Sequence, residues 1–190
     1  DLFYLYFCGM KMKIIAISTP KVTDDDASII KQILERGINI IHLRKPESNI
    51  NECRKLLEKL NIEQRKKIII HDHPELYFEF SLKGIHTNRN ITILPSDYTG
   101  FKTRSCHSLE EILKHKSNYD YLFLSPIFDS ISKSGYKSGF NHKELQKASE
   151  EGIIDKKVIA LGGITPEKID YLKKLNFGGV AGIGSFYRHF

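Results

Sequence analysis

Eight short β-branched runs, amphipathic segments between them, and glycine turns after the last two runs predict an α/β chain, a single compact (βα)8 (TIM) barrel. Runs such as "IIAIS", "KKIII" and "VIALGG" are apolar throughout, as parallel strands covered on their outer face require. A five-stranded open sheet would leave strands over, and right-handed crossovers close eight of them. A length of 190 residues suits one domain with its own core.

The first strand is expected at Lys13 to Ser18, with a turn at Pro20. A helix follows from Asp24 to Arg36, opened by Thr23 and three aspartates that suit its positive N-terminal end, and closed by Gly37. Strand two is Ile38 to Arg44, and the helix at Asn51 to Leu60 places Cys53, Leu56, Leu57 and Leu60 on one stripe. Strand three, Lys67 to Asp72, leads to a short helix at Glu75 to Leu82, and strand four is Lys83 to His86. The polar stretch before strand five, Phe101 to Cys106, has room only for a shortened helix.

Ser108 and Glu111 have capping-box spacing for a helix ending near His115. Strand six is Tyr119 to Ser125; a Ser/Gly/Lys-rich loop from Asp129 to Phe140 then precedes a helix capped by Asn141 and Glu144. Strand seven is Lys157 to Leu161, and Pro166 sits at the first position of the helix ending near Leu175. Strand eight, Gly179 to Ile183, feeds a last short helix at Gly184-Ser185. The expected domain is therefore 13–190, with residues 1–12 a leader or extension outside the fold.

Twenty-nine basic against 23 acidic residues leave a formal charge of +6, and the basic residues are scattered among acids rather than run together with aromatics. That pattern favours anionic metabolites over nucleic acid. The apolar opening "DLFYLYFCG" is far shorter than the ~20 residues of a membrane span. Three cysteines without a CxxC pair indicate neither a disulfide framework nor a zinc site, and cytoplasm is the default location. The expected partners are phosphorylated small molecules, with no nucleic acid and no membrane; a homo-oligomer is left open.

In a barrel, chemistry sits on the loops after the strands. Gly162-Gly163 after strand seven and Gly184-Ser185 after strand eight let backbone N–H groups approach an anion, a recurrent phosphate site. Tight strand-to-helix turns also use glycine, so the pairing of two such loops carries the phosphate reading.

With the loops in register, "IIHLRKP", "SCHSLEE", "DYLFLSPIFDSISKSG", "VIALGGITPEKI" and "GGVAGIGSFY" resemble the thiamine phosphate synthase family and its TenI-like thiazole tautomerase relatives, from about Lys13 to the C-terminus. The resemblance implies a transferase of thiamine biosynthesis that joins hydroxymethylpyrimidine diphosphate to thiazole phosphate and releases diphosphate, with Mg2+ holding the diphosphate. Carried over by position, Arg44 and Lys133 match the diphosphate-neutralising cations, and Ser130 and Ser132 match a hydroxyl pair. Asp72 matches an acidic magnesium ligand. His42 and His71 stand where the family usually has a glutamine and an asparagine against the pyrimidine or diphosphate. Ser105 matches the serine of a strand-five pattern, and Gly162, Gly163, Gly184 and Ser185 match the thiazole phosphate cradle.

Two departures stand out. Pro46 replaces a lysine two residues past the arginine, with Lys45 adjacent, and no acid follows His86 in Thr87-Asn88-Arg89-Asn90-Ile91, Asp97 being too far downstream. A tautomerase tolerates a depleted diphosphate site, but Pro126 stands where its histidine is expected, leaving His107 as the available proton carrier. A catalytically reduced barrel that binds a thiamine precursor or product is the third alternative. Separately, His71 and His73 at alternate strand positions, with His86 and His107 on the next strands, have the makings of a transition-metal site. Surface or hydrogen-bonded histidines are the commoner explanation of such a set.

Overall fold

The computed structural model describes residues 12–128 and 139–187. Eight strands form a closed barrel in sequence order, as expected. They are β1 (Lys13–Ile17), β2 (Ile40–Leu43), β3 (Ile68–Ile70), β4 (Gly84–Thr87), β5 (Phe101–Cys106), β6 (Tyr121–Leu124), β7 (Val158–Leu161) and β8 (Gly179–Gly182). The helices are α1 (Asp26–Glu35), α2 (Ile50–Glu58), α3 (Ile62–Arg65), α4 (Glu75–Phe80), α5 (Leu109–His115), α6 (His142–Glu150), α7 (Ile169–Lys174) and α8 (Gly184–Tyr187). Chain contacts group them into two compact units, residues 15–103 with 183–187, and residues 104–182 with 12–14.

In the first unit, β1, β2, β3 and β4 pair in parallel, and the register aligns Ile17, His42, Ile69 and Gly84 in one row. Side chains alternate along a strand. His71 and His86, two residues beyond Ile69 and Gly84, therefore share the face of His42. Asn49 and Glu52 form a reciprocal capping box that starts α2, whose buried Cys53, Leu56 and Leu57 are the expected stripe. The single turn α3 was not expected, although Asn61 and Gln64 carry the same capping pattern.

Between β4 and β5 the expected shortened helix is absent: residues 88–100 form a loop. Asn88 Oδ1 accepts from the N–H groups of Asn90 and Ile91, a local turn that competes with helix. The Tyr98 hydroxyl accepts from the Ile85 N–H and donates to the Phe101 carbonyl, tying the loop to both strands. A Cβ at Gly84 would collide with the Phe101 carbonyl oxygen and lie 2.7 Å from Phe101 Cβ. Gly84→Ala is accordingly expected to cost about 3 kcal/mol by overpacking against backbone, read by urea unfolding; a change below about 0.5 kcal/mol, typical of unconstrained surface sites, would show that β5 yields freely.

In the second unit β6, β7 and β8 pair in parallel. Helix α6 has the expected Asn141–Glu144 capping box. At α5 only half of the box forms: Ser108 Oγ accepts from the Glu111 N–H, while the Glu111 carboxylate accepts from the His107 N–H. The segment after Thr165 opens as a 3-10 turn, Pro166–Lys168, before α7. No helix among the described residues is long and apolar enough to cross a membrane.

Candidate active site

The loop after β2 begins at Arg44. Ser18 Oγ accepts from the Arg44 N–H at 2.9 Å and donates to the Arg44 carbonyl at 3.0 Å. Backbone is thus fixed while the guanidinium stays exposed, and it makes no ion pair among the described residues. Lys45 turns the opposite way. Its side chain is 1% exposed, and Nζ donates to Asp26 Oδ2 at 2.7 Å and to the Lys21 carbonyl at 2.9 Å. Burial pushes the Lys45 amine below its usual range, opposed by the Asp26 carboxylate. Asp26 also accepts from the Tyr187 hydroxyl and, at 2.7 Å, from the Thr23 N–H.

The backbone of Lys45 serves the next strand, donating its N–H to Asp72 Oδ2 at 2.8 Å. The other Asp72 oxygen has no hydrogen-bond partner among the described residues. Below Arg44 and Asp72 in the strand order lie three buried imidazoles. His42 Nδ1 and His71 Nε2 are 2.6 Å apart. The His71 and His86 rings stack at 4.0 Å with planes 11° apart, and the His42 and His86 centroids are 5.5 Å apart. His86 Nδ1 lies 2.8 Å from Thr103 Oγ1, itself buried. Burial first, then the neighbouring His86, pushes His42 and His71 well below the usual histidine range, and the Arg44 charge adds to the effect on His71.

His73 leaves this group: it adopts φ 57° and its Nε2 meets the Ser48 carbonyl at 3.1 Å. Asn88, at the end of β4, donates Nδ2 to the His71 carbonyl at 3.2 Å.

In the second unit, His107 is exposed beyond β5, and its Nδ1 lies 2.9 Å from the Ser125 carbonyl. A carbonyl only accepts, so Nδ1 carries the proton and Nε2 is the basic nitrogen of the neutral ring. Ser105 is half-buried, and Cys106 is buried with its thiol pushed up to about 11, chiefly by desolvation, which leaves it unreactive. After β7 the chain turns through Gly162 at φ 100° and Gly163 at φ 60°. A Cβ on Gly162 would meet Pro126 Cα at 3.0 Å, so this turn demands glycine twice over. Lys168 Nζ donates to the Gly163 carbonyl at 2.8 Å and lies 4.3 Å from the Phe128 ring centroid. Gly184 and Ser185 open α8 directly after β8. Ser130, Ser132 and Lys133 lie outside the described residues.

The family profile described as thiamine monophosphate synthase matches residues 14–186, from within β1 to within α8. The chain belongs to the thiamine monophosphate synthase family. The thiamine-phosphate synthase of Lactococcus lactis subsp. lactis is 28% identical over 177 residues, covering 85% of this chain and 80% of that protein. A solved thiamine phosphate pyrophosphorylase from Bacteroides thetaiotaomicron superposes with a TM-score of 0.85 at 37% identity, covering 94% of this chain and 86% of that one. The (S)-3-O-geranylgeranylglyceryl phosphate synthase of Thermoplasma acidophilum, at 13% identity and a TM-score of 0.63 over 98% of this chain and 90% of that one, shares the fold alone.

Membership in the thiamine monophosphate synthase family supports a transferase of thiamine biosynthesis. Within this synthase-family barrel, Arg44 and Asp72 stand at the ends of neighbouring strands, and His42 and His71 meet directly beneath them in the strand order. Sequence reasoning grouped His71 with His73, His86 and His107; in the structure His71 and His86 cluster with His42 instead of His73 and His107. The signal that could have found His42 is the row it shares with Ile69, which becomes visible only once β2 and β3 are in register.

Proposed function

We propose that this chain joins hydroxymethylpyrimidine diphosphate to thiazole phosphate with release of diphosphate. The observation that carries this reading is an exposed Arg44 just past β2 and, just past the neighbouring β3, an Asp72 carboxylate that is pinned through one oxygen by the Lys45 N–H. In the reaction the bond between the pyrimidine methylene carbon and the diphosphate oxygen breaks, and the thiazole nitrogen forms a C–N bond to that carbon. The leaving diphosphate gains charge, which a fixed cation stabilises more in the transition state than in the ground state. Arg44 fills that role, together with Lys133, and Ser130 and Ser132 orient the diphosphate. His42 and His71, whose burial disfavours the charged form, contact the pyrimidine or diphosphate. Gly162, Gly163, Gly184 and Ser185 hold the thiazole phosphate through backbone N–H groups, while Ser105 and His107 supply a hydroxyl and a base.

Magnesium takes oxygen ligands and is commonly held by one or two carboxylates with substrate phosphates. Asp72, half-buried and with one oxygen unpartnered among the described residues, fits as the single protein carboxylate. Asn88 is an amide and supplies no second carboxylate, and its Oδ1 already accepts from the Asn90 and Ile91 N–H groups. The ion, when bound, screens the diphosphate charge.

One feature favours the tautomerase alternative: His107 is exposed, with its tautomer set by the Ser125 carbonyl, as a proton shuttle needs. A coupling assay with both substrates and magnesium separates the two. Thiamine phosphate that disappears with EDTA and falls at least about 10-fold in Asp72→Ala, as loss of a positioned ligand predicts, supports the synthase. Saturable binding of thiazole phosphate without product overturns it and leaves a tautomerase or a binding barrel.

A further inference from the structure

We propose that His42, His71 and His86 bind one divalent transition-metal ion of the zinc class, at a site separate from the Asp72 carboxylate. One ring nitrogen from each of the three lies within 4.8 Å of the others, and all three side chains are buried. They come from adjacent strands, with His42 and His86 inside β2 and β4 and His71 immediately after β3, so the backbone that carries them is held by the sheet ladder. Rigid elements hold a ligand set more precisely than loops do.

The donor chemistry selects the ion. Imidazole suits zinc, copper, iron, cobalt and nickel, whereas magnesium and calcium take oxygen. No thiolate takes part, since both described cysteines, Cys53 and Cys106, are buried elsewhere and have thiols pushed up to about 11. Imidazole ligates through an unprotonated nitrogen, the form that burial favours at His42 and His71. His86 also has the supporting contact that orients a metal-bound ring, Nδ1 at 2.8 Å from Thr103 Oγ1. Three protein nitrogens with a fourth position for water or substrate is the pattern of a catalytic rather than a structural zinc centre.

Coordination requires a defined rearrangement. Two nitrogens about 2.05 Å from a tetrahedral ion are about 3.3 Å apart, so the 2.6 Å contact between His42 and His71 opens. The proton held between them moves to the far nitrogen of its own ring, and no net proton is released. His71 and His86 turn out of their stack so that both ring planes point at the ion, a rotation about a broad terminal torsion. His42 and His71 are also the residues proposed above to contact the pyrimidine or diphosphate, so a bound ion would compete with that contact; the test below reads metal binding and not coupling.

The test uses the full chain stripped with EDTA and titrated with Co2+, then Zn2+, in excess magnesium. One equivalent of Co2+ with visible absorption of tetrahedral nitrogen coordination, displaced by Zn2+ and not by magnesium, is expected. His42→Gln and His71→Asn should each weaken Co2+ binding by about 100-fold or more, whereas Asp72→Asn should leave it unchanged. Loss of binding in Asp72→Asn alone, a sulfur-to-metal band, or no saturable Co2+ binding by the unsubstituted chain would each overturn the assignment. The spectrum of the unsubstituted chain remains decisive even where a histidine variant fails to fold.

Discussion

Asp26→Ala is expected to lower the unfolding free energy by about 3–5 kcal/mol, the cost of leaving a buried charge without its partner. Asp26 is fully buried and is the acceptor for Lys45 Nζ, the Tyr187 hydroxyl and the Thr23 N–H. Its removal strands the Lys45 ammonium, 1% exposed, with only the Lys21 carbonyl. It also takes the acceptor from Tyr187, whose hydroxyl burial holds firmly in the protonated form. In a chain of this size the loss corresponds to a fall in Tm of about 10 °C. The paired change Asp26→Leu with Lys45→Met should recover most of it, since an apolar pair of similar volume dispenses with both desolvation costs. Urea unfolding of the three variants decides the matter. A single variant within about 1 kcal/mol of the unsubstituted chain, the range of an exposed pair, would mean that Lys45 escapes to solvent.

For Arg44→Ala the expected effect is on turnover rather than stability. Under the proposed coupling reaction, kcat should fall by about 10²–10³, the usual loss when one fixed stabiliser of transition-state charge is removed. Arg44→Lys should restore part of the rate, because an ammonium supplies the charge without the bidentate fork. Stability should change by less than about 0.5 kcal/mol: the side chain is exposed, and both Ser18 contacts are made by the Arg44 backbone. Steady-state kinetics and a thermal melt on the same samples give the two readouts. An unchanged kcat with normal folding would remove Arg44 from the reacting site and weaken the synthase proposal with it.

Strand count, strand order and most helix starts were legible because they rest on local chemistry. Apolar β-branched runs mark the strands, and Asn49, Ser108 and Asn141 sit three residues before a glutamate that can answer them. The turn at Gly162 and Gly163 was legible for the same reason, since positive φ selects glycine locally. The loop at 88–100 was half legible. Its polarity argued against a full helix, but the Tyr98 hydroxyl that ties it to Ile85 and Phe101 is a contact between strands.

Lys45 and the histidines show where sequence stops. Its alternation with Arg44 put Lys45 on the other side of the strand end, yet only the packing of α1 and α8 shows that it ends on Asp26 beside Tyr187. Likewise His71, His73, His86 and His107 were visible as a histidine-rich set, whereas His42 entered the cluster and His73 left it. Alternation along a strand determines which face a residue takes within its own element. Which residues from different strands meet depends on the stagger between those strands, a long-range property of the parallel ladder that no local stretch of the chain encodes.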